Sequence, residues 1–429
     1  MVTHEETQVV PPEISAIGFS DVRREVCSMP NGRRTLRSRV ARHVDSPSGS
    51  VRSLAPVIDM GVGLSFPDPL EADAVAASGI GLYSRDGSET VRQFERVIAD
   101  LEGSEAACAT SSGMGALSLT LLSLLKAGDR MVADRECYCE TSELLTKVIS
   151  RFGIRIDFVN VDDTDELQAV LASSARLLLV ETISNPGMRV ANLLELAQLA
   201  HQNGTRLIVD NTFANPLLCR PIEHGADLVV ESCGKFVAGH SDVTAGVVAG
   251  PSELLHEVRE SRRLLGQTPG SMDAWLALRG LKTLYARTSV SNATAKRVAV
   301  SLETHPAVTH VRYPGLEQTK SDRPRTLNEE FGGSVIGFEL TGGALAADQF
   351  VRALVEIPFA ATVGGVSTIV SFPSRQRIQG TGESTCSSHA SGLVRLSIGL
   401  ESPADILEDI NQALNQVIPT GDRKMGSFR

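Results

Sequence analysis

A single lysine, Lys235, stands inside the stretch V-V-E-S-C-G-K-F-V-A-G-H-S-D-V, which runs from residue 229 to 243. An apolar run precedes this lysine and a glycine-containing turn follows it, so both flanks are predicted to be buried. Lysine is rarely fully buried unless it is paired. A desolvated amine loses its proton more easily and then acts as a nucleophile and a base. Lys235 is therefore the first candidate for chemistry.

Polar side chains follow three short apolar runs of the chain. Asn185 comes after the first run, Asp210 after the second, and Ser232 with Lys235 after the third. In open α/β sheets, ligands bind outside the carboxyl ends of the strands, so these side chains are predicted to converge on one crevice. A lone acid after a strand is equally a helix cap or a turn former. Several polar strand ends in succession favour a site.

A second feature is the T-S-S sequence at 110–112, directly before a helix that is predicted to begin at Gly113. Small residues at a helix start leave backbone N–H groups free for an anion, and the helix dipole adds to the attraction. The same pattern is typical of an ordinary N-cap. A lysine, Asp210 placed to hold a pyridinium nitrogen, and a phosphate cradle together describe a pyridoxal phosphate (PLP) site.

The elements that must position these residues alternate between helix and strand from about residue 90. Short unbroken apolar runs are typical of parallel strands that are buried on both faces. The stretch 154–159 alternates apolar and polar residues, which indicates a strand nearer the sheet edge. The predicted strands are 177–180, 207–209, 228–230 and 246–249, and the predicted helices are 91–101, 113–125, 165–173 and 192–202. This alternation predicts an α/β fold with a mainly parallel sheet.

The chain of 429 residues is long enough for more than one domain. A long helix at 272–287 is predicted to lead into a smaller α+β region with strands at 334–340 and 393–398 and a helix at 404–417. We therefore predict three parts: an N-terminal arm, partly disordered, at 1–55, a large domain at 56–288 and a small C-terminal domain at 289–429.

Charge and composition exclude several classes of function. The net charge of −10 argues against nucleic acid or an anionic membrane as the main partner. No apolar run reaches the roughly 18 residues that a membrane helix needs, and the acidic opening M-V-T-H-E-E argues against a secretory signal. We predict a cytoplasmic protein. Cys137 and Cys139 form a C-x-C without a second Cys/His pair at metal spacing, so no metal site is predicted.

Motifs along 56–418 make the chain resemble the Cys/Met-metabolism family of PLP enzymes, which includes cystathionine γ-synthase, cystathionine and methionine γ-lyases, and homoserine sulfhydrylases. The resemblance implies the aspartate-aminotransferase-like fold, known as fold type I. The motifs that carry it are L-Y-S-R-D-G (82–87), S-S-G-M (111–114), E-T-I-S-N-P (181–186), V-D-N-T-F-A-N-P (209–216), G-K-F-V-A-G-H-S-D (234–242), D-A-W-L-A-L-R-G-L-K-T-L (273–284) and L-V-R-L-S-I-G-L-E (393–401).

The resemblance implies a role for each matching residue. Lys235 would form the Schiff base and move protons, Asp210 would pair with the pyridinium nitrogen, and Tyr138 would stack on the ring and take part in catalysis. Arg395 would clamp the substrate carboxylate, a task that suits its planar fork. The remaining predicted cofactor contacts are Ser112, Gly113, Met114, Asn185, Thr212 and Ser232, and the remaining predicted substrate contacts are Thr362, Glu140 and again Asn185.

Tyr83 and Arg85 match family residues that reach the cofactor phosphate of a neighbouring subunit. The resemblance therefore implies that the active unit is at least a homodimer, and that the chain forms a homodimer or a homotetramer. No nucleic acid and no membrane are expected as partners.

The sequence departs from the family pattern near the phosphate and on the substrate side. Gly234 replaces the usual threonine before the lysine, and Glu140 lies in a Y-C-E-T segment where the family has Y-G-G-T or similar. The S-L-G-G segment is T-V-G-G at 362–365, preceded by Ala361. One hypothesis is that the Glu140 carboxylate meets a cationic substrate group, such as an amine or a sulfonium. The alternative is a solvated glutamate in a loop.

The resulting prediction is a PLP-dependent β/γ-elimination or γ-replacement on a sulfur-containing or homoserine-derived amino acid. An alternative keeps the cofactor chemistry but acts on an unusual substrate such as S-adenosylmethionine, or with a non-thiol nucleophile. A distant alternative is a dinucleotide-binding oxidoreductase, because Gly113-x-Gly115 followed by Asp134 roughly resembles its fingerprint. That alternative leaves Lys235 and Arg395 without a role. The other distant alternative is a non-catalytic protein with the PLP fold.

Overall fold

A computed structural model describes residues 35–42, 54–77, 81–316, 326–373 and 392–417. Its largest element is a seven-stranded sheet with the strand order β1-β7-β6-β5-β4-β2-β3. Strands β2 to β6 run parallel to their neighbours among themselves, and β7 runs antiparallel to both β1 and β6. The strands are β1 (Ala106–Thr110), β2 (Arg130–Asp134), β3 (Arg155–Val159), β4 (Leu177–Glu181), β5 (Arg206–Asp210), β6 (Leu228–Ser232) and β7 (Gly246–Gly250).

Both faces of this sheet are buried, which explains the unbroken apolar runs in the sequence. Alternate residues of a strand point to opposite faces. On β4, Leu178 and Val180 therefore join one apolar core, while Leu177 and Leu179 join the other. The large sheet is thus the central layer of three, and only its strand ends can present polar groups to a ligand.

Helices cover the two faces of the large sheet, and others pack on the small sheet or lie at the surface. They are α1 (Leu36–Arg42), α2 (Pro69–Ala77), α3 (Glu89–Glu102), α4 (Gly113–Leu124), α5 (Cys139–Lys147), α6 (Thr164–Leu171), α7 (Leu193–Gln202), α8 (Asn215–Leu218), α9 (Ser252–Leu265), α10 (Ser271–Leu281), α11 (Leu284–Glu303), α12 (Gly343–Ala353) and α13 (Pro403–Leu414). Helix α3 shows local control of its ends: the Ser88 hydroxyl accepts from Val91 N at the start, and Gly103 ends it with φ of 70°. No described helix combines the length and apolar character needed to span a membrane.

A second, four-stranded antiparallel sheet carries its own core. Its strand order is β10-β11-β9-β8, with β8 (Val308–Arg312), β9 (Val335–Leu340), β10 (Ile369–Ser371) and β11 (Leu393–Ser397). Phe338 of β9 and Phe350 of α12 meet edge to face with ring centroids 5.4 Å apart. Helices α12 and α13 cover this core. The fold is therefore α/β with a mainly parallel sheet plus a smaller unit, as predicted.

Helix α11 connects the two cores. Leu284, near its start, belongs to the core of the large sheet, whereas Val298 and Leu302 belong to the core of the small sheet. The predicted domain boundary at residue 288 falls inside this helix and stays a prediction. Most of the predicted arm at 1–55 lies outside the described residues, but α1 is described and its Val40 is buried against the large core.

Two predictions about individual elements were wrong. The run at 246–249 forms β7, which is antiparallel rather than parallel to its neighbours. Burial on both faces produces the same apolar pattern in either direction, so the pattern carries no information about strand direction. The single helix predicted at 272–287 is two helices, α10 and α11, separated at Lys282 and Thr283. The stretch at 154–159 does form an edge strand, β3, as predicted.

Candidate active site

A cavity of about 240 Å³ lies at the carboxyl ends of the parallel strands, where the two units face each other. Residues from both units line it, because 361–363 and Arg395 come from the unit of the small sheet. Of the predicted residues, the lining includes Ser112, Gly113, Met114, Tyr138, Asn185, Asp210, Thr212, Ser232, Lys235, Thr362 and Arg395. Tertiary structure thus brings eleven of the fourteen predicted residues to one place.

Lys235 follows β6 and is held by the turn that the strand runs into. Its backbone N–H donates to the Ser232 carbonyl (3.1 Å), and its carbonyl accepts from Gly239 N (2.7 Å). The Nζ atom donates to Thr362 Oγ1 at 2.8 Å. Burial, and then the nearby positive charge of Arg395, lower the pKa of Lys235. A lower pKa means that more of the amine is neutral at a given pH, as a nucleophile requires.

A steric constraint explains why this chain has glycine at position 234. A Cβ at residue 234 would lie 2.5 Å from the Val243 carbonyl oxygen, a distance that side chains do not tolerate. Threonine, the usual family residue, would therefore require the backbone at Val243 to move. The departure at Gly234 fits the local backbone path and removes one hydroxyl from the site.

The start of α4 has the arrangement that was predicted for an anion cradle. Ser112 Oγ caps the helix by accepting from Gly115 N at 3.0 Å. The N–H groups of Gly113 and Met114 belong to the first turn, where no intrahelical acceptor exists. Both residues line the cavity, and Ser232 approaches so closely that a Cβ on Gly113 would lie 2.6 Å from the Ser232 Cβ. Glycine is needed here because the backbone and side chain of Ser232 leave no room for a Cβ.

Asp210 ends β5 with its carboxylate toward the cavity. Its Oδ1 accepts from Thr212 N (2.9 Å), and Thr212 Oγ1 in turn accepts from Ser232 N (2.8 Å). Burial raises the pKa of Asp210, although the hydrogen bonds from Thr212 act in the opposite direction. A cation placed against the carboxylate would favour its ionised form.

Glu181, at the end of β4, also lines the cavity. It was not among the predicted site residues, although it begins the E-T-I-S-N-P motif. Its Oε1 accepts from Tyr138 N (2.6 Å) and its Oε2 accepts from Asn185 N (2.9 Å). One buried carboxylate therefore ties together the backbones of two predicted cofactor contacts. Burial and the negative charge of Asp210 raise the pKa of Glu181.

Arg395 reaches the cavity from β11 of the small sheet. Its Nη1 donates to Asn185 Oδ1 at 2.6 Å, and its Nε is buried without a hydrogen-bond partner among the described residues. Burial lowers the pKa of Arg395 to about 10, so it remains a cation at neutral pH. A buried guanidinium with a free donor is suited to bind a carboxylate.

Three predicted residues do not line the cavity. Glu140 lies in the first turn of α5 with an exposed side chain. Tyr83 and Arg85 lie in the segment before α3, where the Arg85 guanidinium stacks over the Tyr83 ring at 5.5 Å. Tyr83 is 47% exposed, which leaves it free to contact another molecule.

Comparison with known proteins decides the family. The family described as "Cys/Met metabolism PLP-dependent enzyme" matches residues 38–415. The chain is 38% identical over 341 residues to an L-methionine gamma-lyase of Fusobacterium nucleatum subsp. polymorphum, covering 78% of this chain and 86% of that protein. This chain belongs to the family of PLP-dependent enzymes of cysteine and methionine metabolism.

Two further family members frame the similarity. A cystathionine beta-lyase of Bacillus subtilis is 36% identical over 348 residues, which is 80% of this chain and 88% of that protein. A crystal structure of cystathionine gamma synthase from Xanthomonas oryzae pv. oryzae in complex with cystathionine has a TM-score of 0.83 and 31% identity, and the alignment covers 90% of this chain and 98% of that one. Family members of different reaction type are thus about equally similar, so similarity alone does not assign the reaction.

The residues around the cavity fit the family's cofactor, PLP. The free N–H groups of Gly113 and Met114 and the hydroxyl of Ser232 would hold its phosphate, since a helix start attracts anions. Asp210 would face the ring nitrogen, and its raised pKa would fall when that nitrogen carries a proton. Tyr138 also lines the cavity, and its backbone N–H donates to Glu181.

Glu102 and Glu231 are a buried pair of acids near Asp210. Glu102 Oε1 accepts from Asn211 Nδ2 at 3.0 Å, whereas Glu102 Oε2 and Glu231 Oε1 are buried without a hydrogen-bond partner among the described residues. Burial comes first among the causes that raise the pKa of both, and the charge of Asp210 further raises that of Glu231. Two buried carboxylates beside each other repel, so folding favours the protonated form of the pair.

This pair predicts a pH-dependent stability. An acid whose pKa is raised by folding stabilises the fold while it is protonated, and the stabilisation is lost as pH rises above the acid's ordinary range. Glu231→Gln removes one of the two titrating groups and places an uncharged amide beside Glu102. We expect the free energy of unfolding of the variant to exceed that of the parent by about 1–3 kcal/mol at mildly alkaline pH. At mildly acidic pH the two free energies should differ little. Thermal unfolding of the PLP-bound protein at both pH values measures this.

The exposed Glu303 supplies the control, since Glu303→Gln removes the same charge at a solvated site. Its unfolding temperature should follow that of the parent at both pH values. An equal shift for Glu231→Gln at both pH values would contradict a raised pKa of this pair.

Proposed function

We propose that the chain is a PLP-dependent enzyme that catalyses β/γ-elimination or γ-replacement on a sulfur-containing or homoserine-derived amino acid. The observation that carries the proposal is that Lys235 and Arg395 line the same small cavity. Arg395 is anchored by Asn185, so a substrate carboxylate on its free Nε would direct the α-carbon and its amine toward Lys235.

The residues then divide the work. When bound, PLP withdraws electron density from the α-carbon of an attached amino acid. Arg395 holds the carboxylate and fixes the orientation of the α-proton. Lys235, with a lowered pKa, takes that proton on Nζ, while the Thr362 hydroxyl, 2.8 Å away, holds the amine in position. The same amine can deliver a proton to a departing thiol, because it alternates between neutral and charged forms.

Most of the remaining cavity wall is apolar, which favours an uncharged group next to the reacting carbon. Its apolar side chains are Met114, Leu117, Ile183, Phe213, Ala361 and Val363, and Thr141 and Glu181 complete it. A thioether or an acyl ester would be buried against the apolar part of this wall at little cost, whereas a sulfonium would lose hydration there. Both oxygens of Glu181 already accept hydrogen bonds from backbone N–H groups. The wall therefore supports an uncharged group at the reacting carbon, such as the thioether of methionine or cystathionine or the ester of an O-acylhomoserine, rather than the sulfonium of S-adenosylmethionine. The charged distal end of cystathionine would have to extend beyond this wall, and Glu140 lies outside it.

A panel of substrates tests this proposal. The PLP-loaded protein is incubated with methionine, cystathionine, O-acetylhomoserine and S-adenosylmethionine, and release of 2-oxo acid, ammonia and thiol is measured. Elimination from methionine consumes one water and yields methanethiol, 2-oxobutanoate and ammonia in equal amounts. Added cysteine diverts O-acetylhomoserine to cystathionine if replacement is the reaction. Turnover of S-adenosylmethionine alone would contradict the apolar-wall argument, and no change of the visible cofactor band with any compound would contradict the substrate class.

We further propose that Tyr83 and Arg85 serve the cavity of a neighbouring subunit. Both residues lie outside their own chain's cavity, and the segment around them exposes large apolar side chains, namely Leu54, Val57, Met60, Val62 and Leu64. Exposed apolar patches of this kind mark contact surfaces. A homodimer that buries this segment would complete two sites at once.

Mixing two inactive variants tests the shared site. The first carries Lys235→Ala, and the second carries Tyr83→Ala with Arg85→Ala. If Tyr83 and Arg85 cross to the partner, each mixed dimer has one intact site, and unfolding and refolding the variants together should restore roughly a quarter of the parent activity. No recovery, with mixed dimers verified by two affinity tags, would show that both residues serve their own subunit.

A further inference from the structure

Four arginines stand side by side at the edge of the large sheet that lies away from the active site. Arg155 begins β3, Arg130 begins β2, Arg176 precedes β4, and Arg206 begins β5. These strands are consecutive neighbours in the sheet. Arg130 is the register partner of Arg155, Arg176 N donates to the Arg130 carbonyl (2.7 Å), and Arg206 N donates to the Arg176 carbonyl (3.1 Å). We call these four residues the arginine row.

The arginine row lines a crevice of about 820 Å³. Ser173, Ser174, Asn203 and two glycines, Gly128 and Gly204, complete much of its wall. The crevice lies at the amino ends of the parallel strands, whereas Lys235 lies beyond their carboxyl ends. Five-residue strands put roughly 15 Å between the two edges, so the crevice is separate from the PLP site.

Nearby carbonyls and an acid compensate part of the positive charge of the arginine row. Arg130 Nη1 donates to the carbonyls of Val170 (2.7 Å) and Ser173 (3.2 Å), where α6 ends. The same guanidinium pairs with Asp157 (2.5 Å). These contacts are those expected of a cation that satisfies a helix C-terminus.

Arg176 resembles Arg130 in this respect. Its Nε donates to the Leu124 carbonyl at the end of α4 (3.4 Å) and lies 3.8 Å from Asp129. Arg155 and Arg206 differ, because neither guanidinium has a hydrogen-bond or ion-pair partner among the described residues. Asp129 is the one acid among the described residues that line the crevice. Two uncompensated charges therefore remain in the row.

This concentration of positive charge runs against the composition of the chain, which has 51 acidic and 41 basic residues. Like charges on adjacent strands destabilise a sheet. An anion bound between the guanidinium groups would reverse the sign of that interaction. Arginine is suited to this role, because its planar fork binds phosphate or carboxylate with two parallel hydrogen bonds.

We propose that the arginine row binds an oligophosphate, with Arg155 and Arg206 as its main ligands. The crevice falls within the size range of small-molecule sites. Its described wall has no aromatic side chain on which a nucleobase could stack, so recognition rests on the phosphate chain. That chain could be free inorganic tripolyphosphate or the phosphate tail of a nucleotide.

Calorimetric titration of tripolyphosphate into the PLP-saturated enzyme at low ionic strength tests the proposal. Saturation with PLP keeps the phosphate cradle of the active site filled. We expect one site per subunit, with affinity that falls as salt rises. Combining Arg155→Ala with Arg206→Ala should weaken binding at least about tenfold, the effect expected from the loss of charge-assisted hydrogen bonds.

The matched control combines Arg263→Ala with Arg352→Ala. These two exposed arginines lie outside the crevice and pair with Glu260 and Asp348, so the control loses the same net charge. It should bind like the parent. Equal weakening in both double variants, or no saturable binding to the parent, would overturn the proposal. Titration with ATP identifies the source: tighter binding than tripolyphosphate indicates a nucleotide, and weaker binding indicates inorganic oligophosphate. Neither result depends on which amino acid the enzyme converts.

Discussion

Replacing Lys235 with alanine is expected to abolish the visible absorption band of the bound cofactor and to lower kcat/KM by about 10³-fold or more. In the proposed site, the band would depend on a covalent link between the cofactor and the Nζ atom. The loss of turnover follows because a positioned acid–base group contributes roughly 10²–10⁴-fold, and no other amine among the described residues lines the cavity. Absorption spectra and steady-state rates with methionine and cystathionine measure both effects.

Lys235→Arg supplies the matched variant, because it keeps a cation at the same place. A guanidinium stays protonated and can neither attack the cofactor nor take up the α-proton. It should therefore be as inactive as the alanine variant while its unfolding temperature stays near that of the parent. Substantial turnover in either variant would exclude Lys235 as the proton-transferring residue.

Replacing Arg395 with lysine is expected to lower kcat/KM about 30-fold or more, mainly through a higher KM. The guanidinium donates to Asn185 through Nη1 and keeps Nε free in a buried position. A lysine offers one point charge in place of that fork. Losing one partner of a buried hydrogen-bonded charge pair costs about 2–5 kcal/mol, and each 1.36 kcal/mol corresponds to about tenfold.

The substrate analogue separates carboxylate binding from general damage. With an amino acid amide in place of the acid, the parent and Arg395→Lys should have similar kcat/KM, because the clamped group is gone. Arg312→Lys, on β8 of the same small sheet and paired with Glu339 (2.7 Å), is the structural control and should behave like the parent. If Arg395→Lys reduced the rates for acid and amide equally, the carboxylate role would be wrong.

Much of the fold follows from local pattern. The apolar runs at 177–180, 207–209 and 228–230 identified strands β4, β5 and β6, because a strand buried on both faces admits only apolar residues. The polar residue after each run predicted the ligand edge. Asp210 and Lys235 do converge there. Residue types and their spacing along the chain were sufficient to predict this edge, because the carboxyl ends of parallel strands lie at the same edge of the sheet.

Features that depend on partners distant in sequence could not be predicted in this way. The direction of β7 depends on how it pairs with β1 and β6, and its burial pattern is the same in both directions. The hydrogen bond from Lys235 to Thr362 joins residues that are 127 positions apart in the sequence. The location of Glu140 outside the cavity also depends on how α5 begins, since one residue of rotation on a helix changes which side chains face a site.

The sequence by itself determined the chemistry of this protein: a lysine, an aspartate and a helix start in the order that suits a PLP enzyme. Only the tertiary structure decided the pKa and the orientation of those groups. It placed Glu181 between Tyr138 and Asn185, and it brought Glu231 against Glu102. Residue types specify what a side chain can do, whereas pKa and orientation depend on neighbours, and neighbours are set by packing.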